Sequence, residues 1–369
     1  TPQRSFILAD CPGHVQYTRN TVTGASTADA VVLLVDARHG VVEQTRRHLA
    51  VAALLKVPHV VVAVNKIDLV DFSAEVYART AEQIERVAAA LGVADAHVLP
   101  TSALAGDNVV ERSGRTPFYN GPALLELLES MPADSTQADR ALRLPVQLVI
   151  RPQSAAAEGL TDYRGYAGRI SAGAVELGDD VVVLPSGRRT TVTGINLGAR
   201  PVPAARAGQS VSLELADNID IARGDLIAAG HDLPPLVREI EAHVAWLSER
   251  PLHARDRVLV KHGARTVRAL VASIEGVLEL DDLAISPADE LALNDIGRLR
   301  LRLAEPLPAA DYAVSRADGA FLLIDPQDGW TLAAGMVRDP KALETPGTPA
   351  PLKGPEDPEQ YNAGVRTGI

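Results

Sequence analysis

Two polar segments near the start of the chain have residue types that could bind the two ends of a nucleotide. Asp10–His14 (DCPGH) directly follows the apolar residues Phe6–Ala9, and Asn65–Asp68 (NKID) directly follows the apolar run Val60–Val64. A short apolar run that ends at a turn signal predicts a buried strand. We therefore expect both segments at the carboxyl ends of strands in an α/β sheet, where such sheets bind ligands.

The first segment has the chemistry of a phosphate and metal site. The carboxylate of Asp10 could hold Mg²⁺, and Gly13 would let a backbone N–H come close to a terminal phosphate. His14 could orient an attacking water. Cys11 and Pro12 complete the segment, and Cys11 is expected to be a small packed residue rather than a nucleophile. The alternative interpretation is a Pro-Gly turn with a surface histidine.

The second segment has the chemistry of a guanine site. Guanine presents an N1–H and an exocyclic amine, and the carboxylate of Asp68 could accept from both, whereas adenine would leave it unpaired. Asn65 could bridge the base and a neighbouring loop, and the Lys66 stem, next to Ile67, could lie along the base plane. Ser102–Leu104 follows a further apolar run, which argues against a chance match. The alternative is a charged loop after a buried strand.

The elements that must position these residues alternate between strand and helix. Apolar runs predict strands over 6–10, 30–35, 57–64 and 97–99, and helical spacing with capping signals predicts helices over 16–24, 43–55, 77–91 and 122–129. The run Ala30–Val35 is expected to be covered on both faces, as in parallel sheets. This alternation predicts an α/β domain with a mostly parallel sheet.

After the polar stretch Pro132–Arg140 the character of the sequence changes to short strands separated by glycine-rich turns, which is typical of small β-barrels. The expected organisation is a nucleotide-binding domain over 1–136, a barrel over 141–232, a second barrel over 236–338 and a flexible tail over 339–369.

Two basic clusters are expected to be solvated surfaces. Arg46–His48 lies on a predicted helix, with a partner-binding patch as the alternative. Arg298, Arg300 and Arg302 alternate with leucines on a predicted strand, so that one face is basic and the other apolar. A docking surface is the minority interpretation of this stripe.

The composition limits the classes of function. The chain has 369 residues, a formal net charge of −11 and one cysteine. Its length indicates several domains, and its acidity argues against a general nucleic-acid or membrane binder. A single cysteine cannot form an internal disulfide, and we find no signal peptide or apolar run long enough to cross a bilayer. A cytoplasmic protein is expected.

These motifs, followed by two barrels, resemble the elongation-factor family of GTPases. Longer stretches resemble one branch of it, the large GTPase subunit of bacterial heterodimeric sulfate adenylyltransferase (ATP sulfurylase), from about Arg4 to Val337. Tyr17–Asn20 and the DARHGVVEQTRRH segment indicate sulfate activation rather than translation, whereas DCPGH does not discriminate. The stretches that carry the likeness are His14–His48, Ser102–Glu129, Val181–Ile195, Leu293–Leu307 and Gly319–Val337.

The resemblance implies a α/β P-loop-type GTPase domain followed by two β-barrels, with GTP and Mg²⁺ as cofactors. Asp10–His14 would face the γ-phosphate and Mg²⁺, with Asp10 as the metal ligand and with Gly13 and His14 in catalytic positions. Asn65–Asp68 would hold guanine, and Ser102–Leu104 would support it by backbone contact.

The resemblance also implies a partner. In the family, the GTPase subunit hydrolyses GTP, and a smaller subunit makes adenosine 5′-phosphosulfate and pyrophosphate from ATP and sulfate. We expect a heterodimer, with a higher oligomer as the alternative, and neither nucleic acid nor membrane as a partner.

One family feature is missing from the sequence. No Gly-x-x-x-x-Gly-Lys-Ser/Thr phosphate loop is present, nor a switch threonine segment, so the domain is expected to be N-terminally incomplete. A polypeptide that truly started at Thr1 is expected to fail in GTP hydrolysis. In that case the alternative is a non-hydrolysing scaffold. A translation GTPase that binds aminoacyl-tRNA is a separate alternative, because it shares the domain plan.

Overall fold

The structure is a computed structural model that describes residues 1–11, 18–132, 139–152 and 163–341. Its first unit contains three parallel strands in the order β1-β2-β3, together with helices. The elements are α1 (Thr18–Ala25), β1 (Ala30–Asp36), α2 (Glu43–Leu54), β2 (His59–Asn65), a 3₁₀ turn (Ile67–Val70), α3 (Ala74–Ala90), β3 (Ala96–Pro100) and α4 (Leu124–Ser130). The predicted alternation of strand and helix is confirmed for these elements.

Strand β2 is the centre of the first unit because its apolar run is buried on both faces. Val60, Val62 and Val64 belong to the same core as α2 and α3, while Val61 and Ala63 pack in a second cluster with residues of α4. All five are at most 1% exposed. Full burial of a valine side chain stabilises a fold by about 1.5–3 kcal/mol, so this run fixes where β2 ends and where Asn65 lies.

Strand β1 differs from the expectation that both of its faces are covered. Val32 is 37% and Leu34 is 68% exposed. The strand lies at the edge of the described sheet, and its second edge has no partner strand among the described residues. The predicted strand over 6–10 is also wrong, because these residues have no regular structure and Ile7 and Leu8 are 102% and 86% exposed. A strand forms only where a neighbour can pair its backbone groups, and the described residues supply none to this segment.

The second unit is a half-barrel, in which the described strands at the two ends of the sheet do not pair with each other. Its main sheet has the strand order β4-β13-β8-β9-β12-β6-β5, with β10 paired to β9 and with a separate β7–β11 pair. Its strands are β4 (Arg143–Pro145), β5 (Leu148–Ile150), β6 (Gly165–Arg169), β7 (Ala174–Glu176), β8 (Asp180–Leu184), β9 (Arg188–Leu197), β10 (Arg200–Pro201), β11 (Ala204–Arg206), β12 (Ser210–Leu215) and β13 (Leu226–Ala229).

The third unit is a closed barrel, because β16 pairs with both β21 and β17 and so joins the two ends of the sheet. Its elements are β14 (Leu236–Trp246), β15 (Leu252–His253), β16 (Arg257–His262), β17 (Arg265–Leu278), β18 (Ile285–Ser286), β19 (Glu290–Leu291), β20 (Ile296–Pro308), α5 (Arg316–Gly319), β21 (Ala320–Ile324) and β22 (Thr331–Arg338). The predicted class, an α/β domain followed by two barrels, is confirmed. The predicted domain limits stay predictions, and residues 342–369 of the expected tail lie outside the described residues.

The first unit and the closed barrel meet in a packed seam. Arg46 on α2 donates to the carbonyls of Leu280 and Asp281 at 3.2 and 2.7 Å, and Arg47 donates to the carbonyl of Asn294 at 2.8 Å. The expectation that these two arginines form a solvated face is therefore wrong. A helix pattern shows only that a position is polar, and the third unit supplies the acceptors.

Further contacts tie α1 and the end of α2 to the same seam. Arg19 donates to the carbonyls of Leu247 and Thr331 at 3.0 and 3.3 Å, and the Tyr312 hydroxyl donates to the carbonyl of Leu55 at 2.9 Å. The helix that follows Asp10–His14 in the chain is thus held against the closed barrel.

The basic stripe on β20 lies where the alternation predicts it. Arg298 and Arg300 each form ion pairs with Glu241 and Glu275. Arg302 at the same face is 65% exposed. The stripe is a partly solvated, ion-paired barrel face.

Candidate nucleotide-binding site

Asn65 connects the two loops that were expected to hold guanine. Its side-chain oxygen accepts from the backbone N–H of Lys66 at 2.8 Å and from that of Ala103 at 3.0 Å. The backbones also join, because Thr101 donates to the carbonyl of Val64 at 2.9 Å and Ile67 donates to that of Thr101 at 3.1 Å. The structure therefore brings Asn65–Asp68 and Ser102–Leu104 together at the carboxyl ends of neighbouring parallel strands.

Asp68 lies in the 3₁₀ turn that follows Lys66. The turn is anchored by Ile67, which is fully buried, whereas Asp68 is half-buried. No group in the described part of the chain donates a side-chain hydrogen bond or ion pair to its carboxylate. A carboxylate that is fixed by its backbone and has free acceptor capacity can receive two donors from a base edge.

Ser102 fixes the second loop from inside. It is fully buried, its hydroxyl accepts from the N–H of Ala105 at 3.3 Å, and its backbone pairs in both directions with that of Asp107 at 3.2 and 3.1 Å. Leu104 at the tip is 94% exposed. The loop thus has a rigid base and an open tip, on which the backbone N–H of Ala103 already faces Asn65.

Asn108 is a supporting residue that the sequence analysis missed. Its side-chain amide donates to the carbonyl of Pro100 at 2.8 Å and to the hydroxyl of Thr116 at 2.9 Å, and its oxygen accepts from the N–H of Ser113 at 2.8 Å. It is fully buried and has a φ of 56°, a left-handed conformation that asparagine tolerates better than most residues. The Gly106-Asp107-Asn108 turn signal could have indicated a special backbone here, but not these partners.

Asp107 links the two loops a second time. Its carboxylate accepts from Arg115 Nε at 3.0 Å and Nη2 at 2.5 Å and from the Ser113 hydroxyl at 2.6 Å. The Arg115 guanidinium lies 4.6 Å from the ring centroid of Phe72, whose N–H donates to the carbonyl of Ile67 at 2.9 Å. An arginine over an aromatic face adds attraction to this link.

Asp36 ends β1 directly beside Asn65, its partner in the parallel register. Hydrogen bonds from the Arg38 guanidinium, and then one from the Lys66 ammonium group, hold the pKa of the Asp36 carboxyl well below its usual range, although partial burial opposes them. Asp36 is therefore ionised near neutral pH and forms ion pairs with Arg38 and Lys66 beside the end of β2.

The phosphate end is less complete in the described structure. Asp10 is exposed and has no described side-chain partner, and Cys11 packs on α1, with its sulfur 3.4 Å from the carbonyl of Asn20. This agrees with a packed role for the cysteine. Pro12, Gly13 and His14 lie outside the described residues. No described hydrogen bond or ion pair joins Asp10 or Cys11 to the loops of Asn65 and Ser102, and the described residues contain no cluster of three metal-ligating side chains.

Two known protein families match the sequence of this chain, and both belong to GTP-binding translation factors by their descriptions. The family described as the elongation factor Tu GTP binding domain matches residues 1–135, and the one described as GTP-eEF1A C-terminal domain-like matches residues 239–338. A crystal structure of sup35 complexed with GMPPNP has a TM-score of 0.50 and 25% identity, and the match covers 85% of this chain and 79% of that one. No helix within the described ranges has the length and apolarity to cross a bilayer. The fold and the paired loops define an elongation-factor-type GTP-binding protein.

Relatives narrow the class. Sulfate adenylyltransferase subunit 1 of Laribacter hongkongensis (strain HLHK9) is 43% identical over 339 residues, which are 92% of this chain and 69% of that protein. The bifunctional enzyme CysN/CysC of Mycobacterium tuberculosis (strain ATCC 25618 / H37Rv) is 45% identical over 351 residues, which are 94% of this chain and 56% of that protein. The chain thus spans little more than half of the bifunctional relative. It belongs to the sulfate adenylyltransferase subunit 1 family, which confirms the resemblance seen in the sequence.

Proposed function

We propose that the chain is the GTP-binding and GTP-hydrolysing regulatory subunit of a sulfate adenylyltransferase. The observation that carries this proposal is the hydrogen bond of 3.0 Å from the Ala103 N–H to the Asn65 side chain, which joins the two loops of a guanine site in a chain of this family. The structure with GMPPNP bears on it only as a fold relative that holds a guanine nucleotide analogue.

At the base, each residue has a separate task. The free carboxylate of Asp68 would accept from guanine N1–H and from the exocyclic amine, and an adenine base would leave those acceptors unsatisfied at a cost in binding. The Lys66 stem would lie along the base. The backbone of Ser102 and Ala103 would close the other side, supported by the buried network below it.

At the phosphates, we propose the roles that the sequence implies. The Asp10 carboxylate is a hard oxygen donor of the kind Mg²⁺ prefers, and it is exposed with no described partner, so it fits as one ligand of an ion that phosphate oxygens and water would complete. When bound, Mg²⁺ would neutralise developing phosphate charge. Gly13 would supply a backbone N–H, and His14 would orient the attacking water.

The adenylyl transfer itself would take place on a smaller partner subunit. There ATP and sulfate would form adenosine 5′-phosphosulfate and pyrophosphate, and GTP hydrolysis on this chain would help to drive that unfavourable reaction. We propose that the two subunits form a heterodimer in the cytoplasm.

The test is a coupled turnover assay with the complete polypeptide and a small subunit from the same organism. GTP turnover is expected to rise when ATP and sulfate are both added, and not when sulfate is omitted, which is the matched control. GTP binding without turnover would instead support a non-hydrolysing scaffold. Stable co-purification with aminoacyl-tRNA, and no response to sulfate, would support a translation factor and refute the proposal.

A further inference from the structure

Asp36 lies beside the guanine loops, although its sequence context indicates only a turn. It is the last residue of β1 and is paired in register with Asn65, and the next N–H, that of Ala37, donates to the Asn65 carbonyl at 2.9 Å. The carboxylate of Asp36 can therefore reach the side chains of residues that directly follow β2, such as Lys66.

The Asp36 carboxylate binds Lys66 with one oxygen. Its Oδ2 accepts from the Lys66 ammonium group at 3.0 Å and from Arg38 Nη2 at 2.6 Å, while Oδ1 accepts from the backbone N–H and the Nε of Arg38 at 3.0 and 2.9 Å. The side chain of Asp36 is 21% exposed, compared with 48% for Lys66. The partly buried carboxylate is thus the fixed partner, and the lysine is the one that is held.

Lys66 is constrained at both of its ends. Its backbone has a φ of 61° and donates to the Asn65 side chain at 2.8 Å, while its ammonium group is bound to β1. The four-carbon stem therefore spans from the end of β2 to the end of β1. A free lysine side chain loses much rotational freedom when it is ordered, and a lysine that is already held loses less on binding.

We propose that Asp36 is a positioning residue of the guanine site, which holds the Lys66 stem in place as one wall of the base pocket before the nucleotide binds. The proposal rests on the proposed function, because it assumes that the loop after β2 holds a guanine base. Arg38 shares the carboxylate, but its side chain is 43% exposed and, among the described residues, forms no hydrogen bond or ion pair with Asn65–Asp68, so it supplies a matched control.

The test is a double-mutant cycle measured as the dissociation constant of GDP for the complete polypeptide. Asp36→Ala is expected to weaken GDP binding about three- to tenfold. The variant loses a partly exposed ion pair, and the Lys66 side chain must then be ordered when the nucleotide binds. The same loss is expected for GTP, because the pair lies at the base end. In a Lys66→Ala background, Asp36→Ala should add less than about twofold, since the group through which it acts is gone.

Two controls separate the outcomes. Arg38→Ala should change GDP binding by less than about twofold, and Asp36→Glu should recover part of the loss. Additive losses from Asp36→Ala and Lys66→Ala, or unchanged binding in an Asp36→Ala protein with wild-type melting behaviour, would overturn the positioning role. Failure of the wild-type polypeptide to bind GDP at all would instead refute the proposed function.

Discussion

The two ends of the proposed nucleotide site are built in different ways. At the base end, Asn65, Ser102 and Asn108 each have hydrogen-bond partners in or next to the same two loops. These bonds range from exposed at Asn65 to buried at Asn108. At the phosphate end, Asp10 is exposed and the preceding Ile7 and Leu8 lie in solvent. The base end is thus closed by contacts between its two loops, whereas the described residues of the phosphate end have few contacts.

The largest effect is expected from Asp68, because it would decide which base is bound. Asp68→Asn replaces an acceptor with a donor, which suits the carbonyl that xanthine has in place of the exocyclic amine. Preference for guanine over xanthine nucleotides is expected to fall by about 10²-fold or more, and to reverse. Competition binding with GDP and xanthosine diphosphate measures it.

Asp71→Asn is the matched control, since Asp71 is an exposed aspartate just after the same turn. It should keep the wild-type preference. Unchanged guanine selectivity in Asp68→Asn would break the assignment of the base end.

The next effect probes the rigidity of the base end. Asn108→Ala would leave buried partners such as the Pro100 carbonyl unsatisfied and place alanine at a positive φ. The free energy of unfolding is expected to fall by about 2–4 kcal/mol. Chemical denaturation measures it, with the exposed Val110→Ala expected within about 0.5 kcal/mol of wild type. Equal stabilities of the two variants would contradict a locally closed network.

An intermediate effect is expected from His243 on β14 of the closed barrel. Burial, and then the nearby positive charges of Arg338, Arg298 and Lys56, lower the pKa of His243 to about 4. Between the ordinary value and this one, the unfolded chain binds a proton that the folded chain does not, so stability falls as the pH falls.

From pH 7 to pH 4.5 this histidine is expected to remove about 1–2 kcal/mol from the free energy of unfolding. The loss should be absent in His243→Gln and retained in His231→Gln, whose histidine is exposed. Denaturation curves at the two pH values would refute the effect if both variants lost stability equally.

The smallest effect is expected at exposed apolar residues, of which Leu8 precedes Asp10 and Leu34 lies on β1. Leu8→Ala and Leu34→Ala should each change the free energy of unfolding by less than about 0.5 kcal/mol. Leu33→Ala, next to Leu34 on β1, is the control. Because Leu33 is only 7% exposed, its replacement is expected to lower the free energy of unfolding by about 2–4 kcal/mol. A loss above about 1.5 kcal/mol in the Leu8 or Leu34 variant would show that the replaced side chain is covered in the folded protein, and would contradict its exposure.

Sequence patterns predicted the parts of the molecule that are determined by nearby residues. The run Val60–Val64 predicted a buried strand, which the structure shows to be covered on both faces. The structure also brings the polar residues after this run beside Ser102–Leu104. The supports below this loop, such as Asn108 and Arg115, were missed, because side chains that satisfy a bend leave no periodic signal.

Patterns failed where a residue depends on a distant part of the chain. Arg46 and Arg47 look like solvated helix positions, and only the position of the closed barrel shows that they donate to its carbonyls. The apolar segment Phe6–Ala9 has the composition of a strand, but a strand also needs a neighbour with which to pair. The domain limits also stay predictions, because a change in composition locates a linker only approximately.

The most direct test of the central claim is a crystal structure of the complete polypeptide with a non-hydrolysable GTP analogue. The guanine edge is expected within hydrogen-bond distance of the Asp68 carboxylate, about 2.7–3.2 Å, with the phosphates toward Asp10–His14. A base bound away from the loops of Asn65 and Ala103, or phosphates far from the Pro-Gly turn, would contradict the claim that these two segments hold opposite ends of one guanine nucleotide.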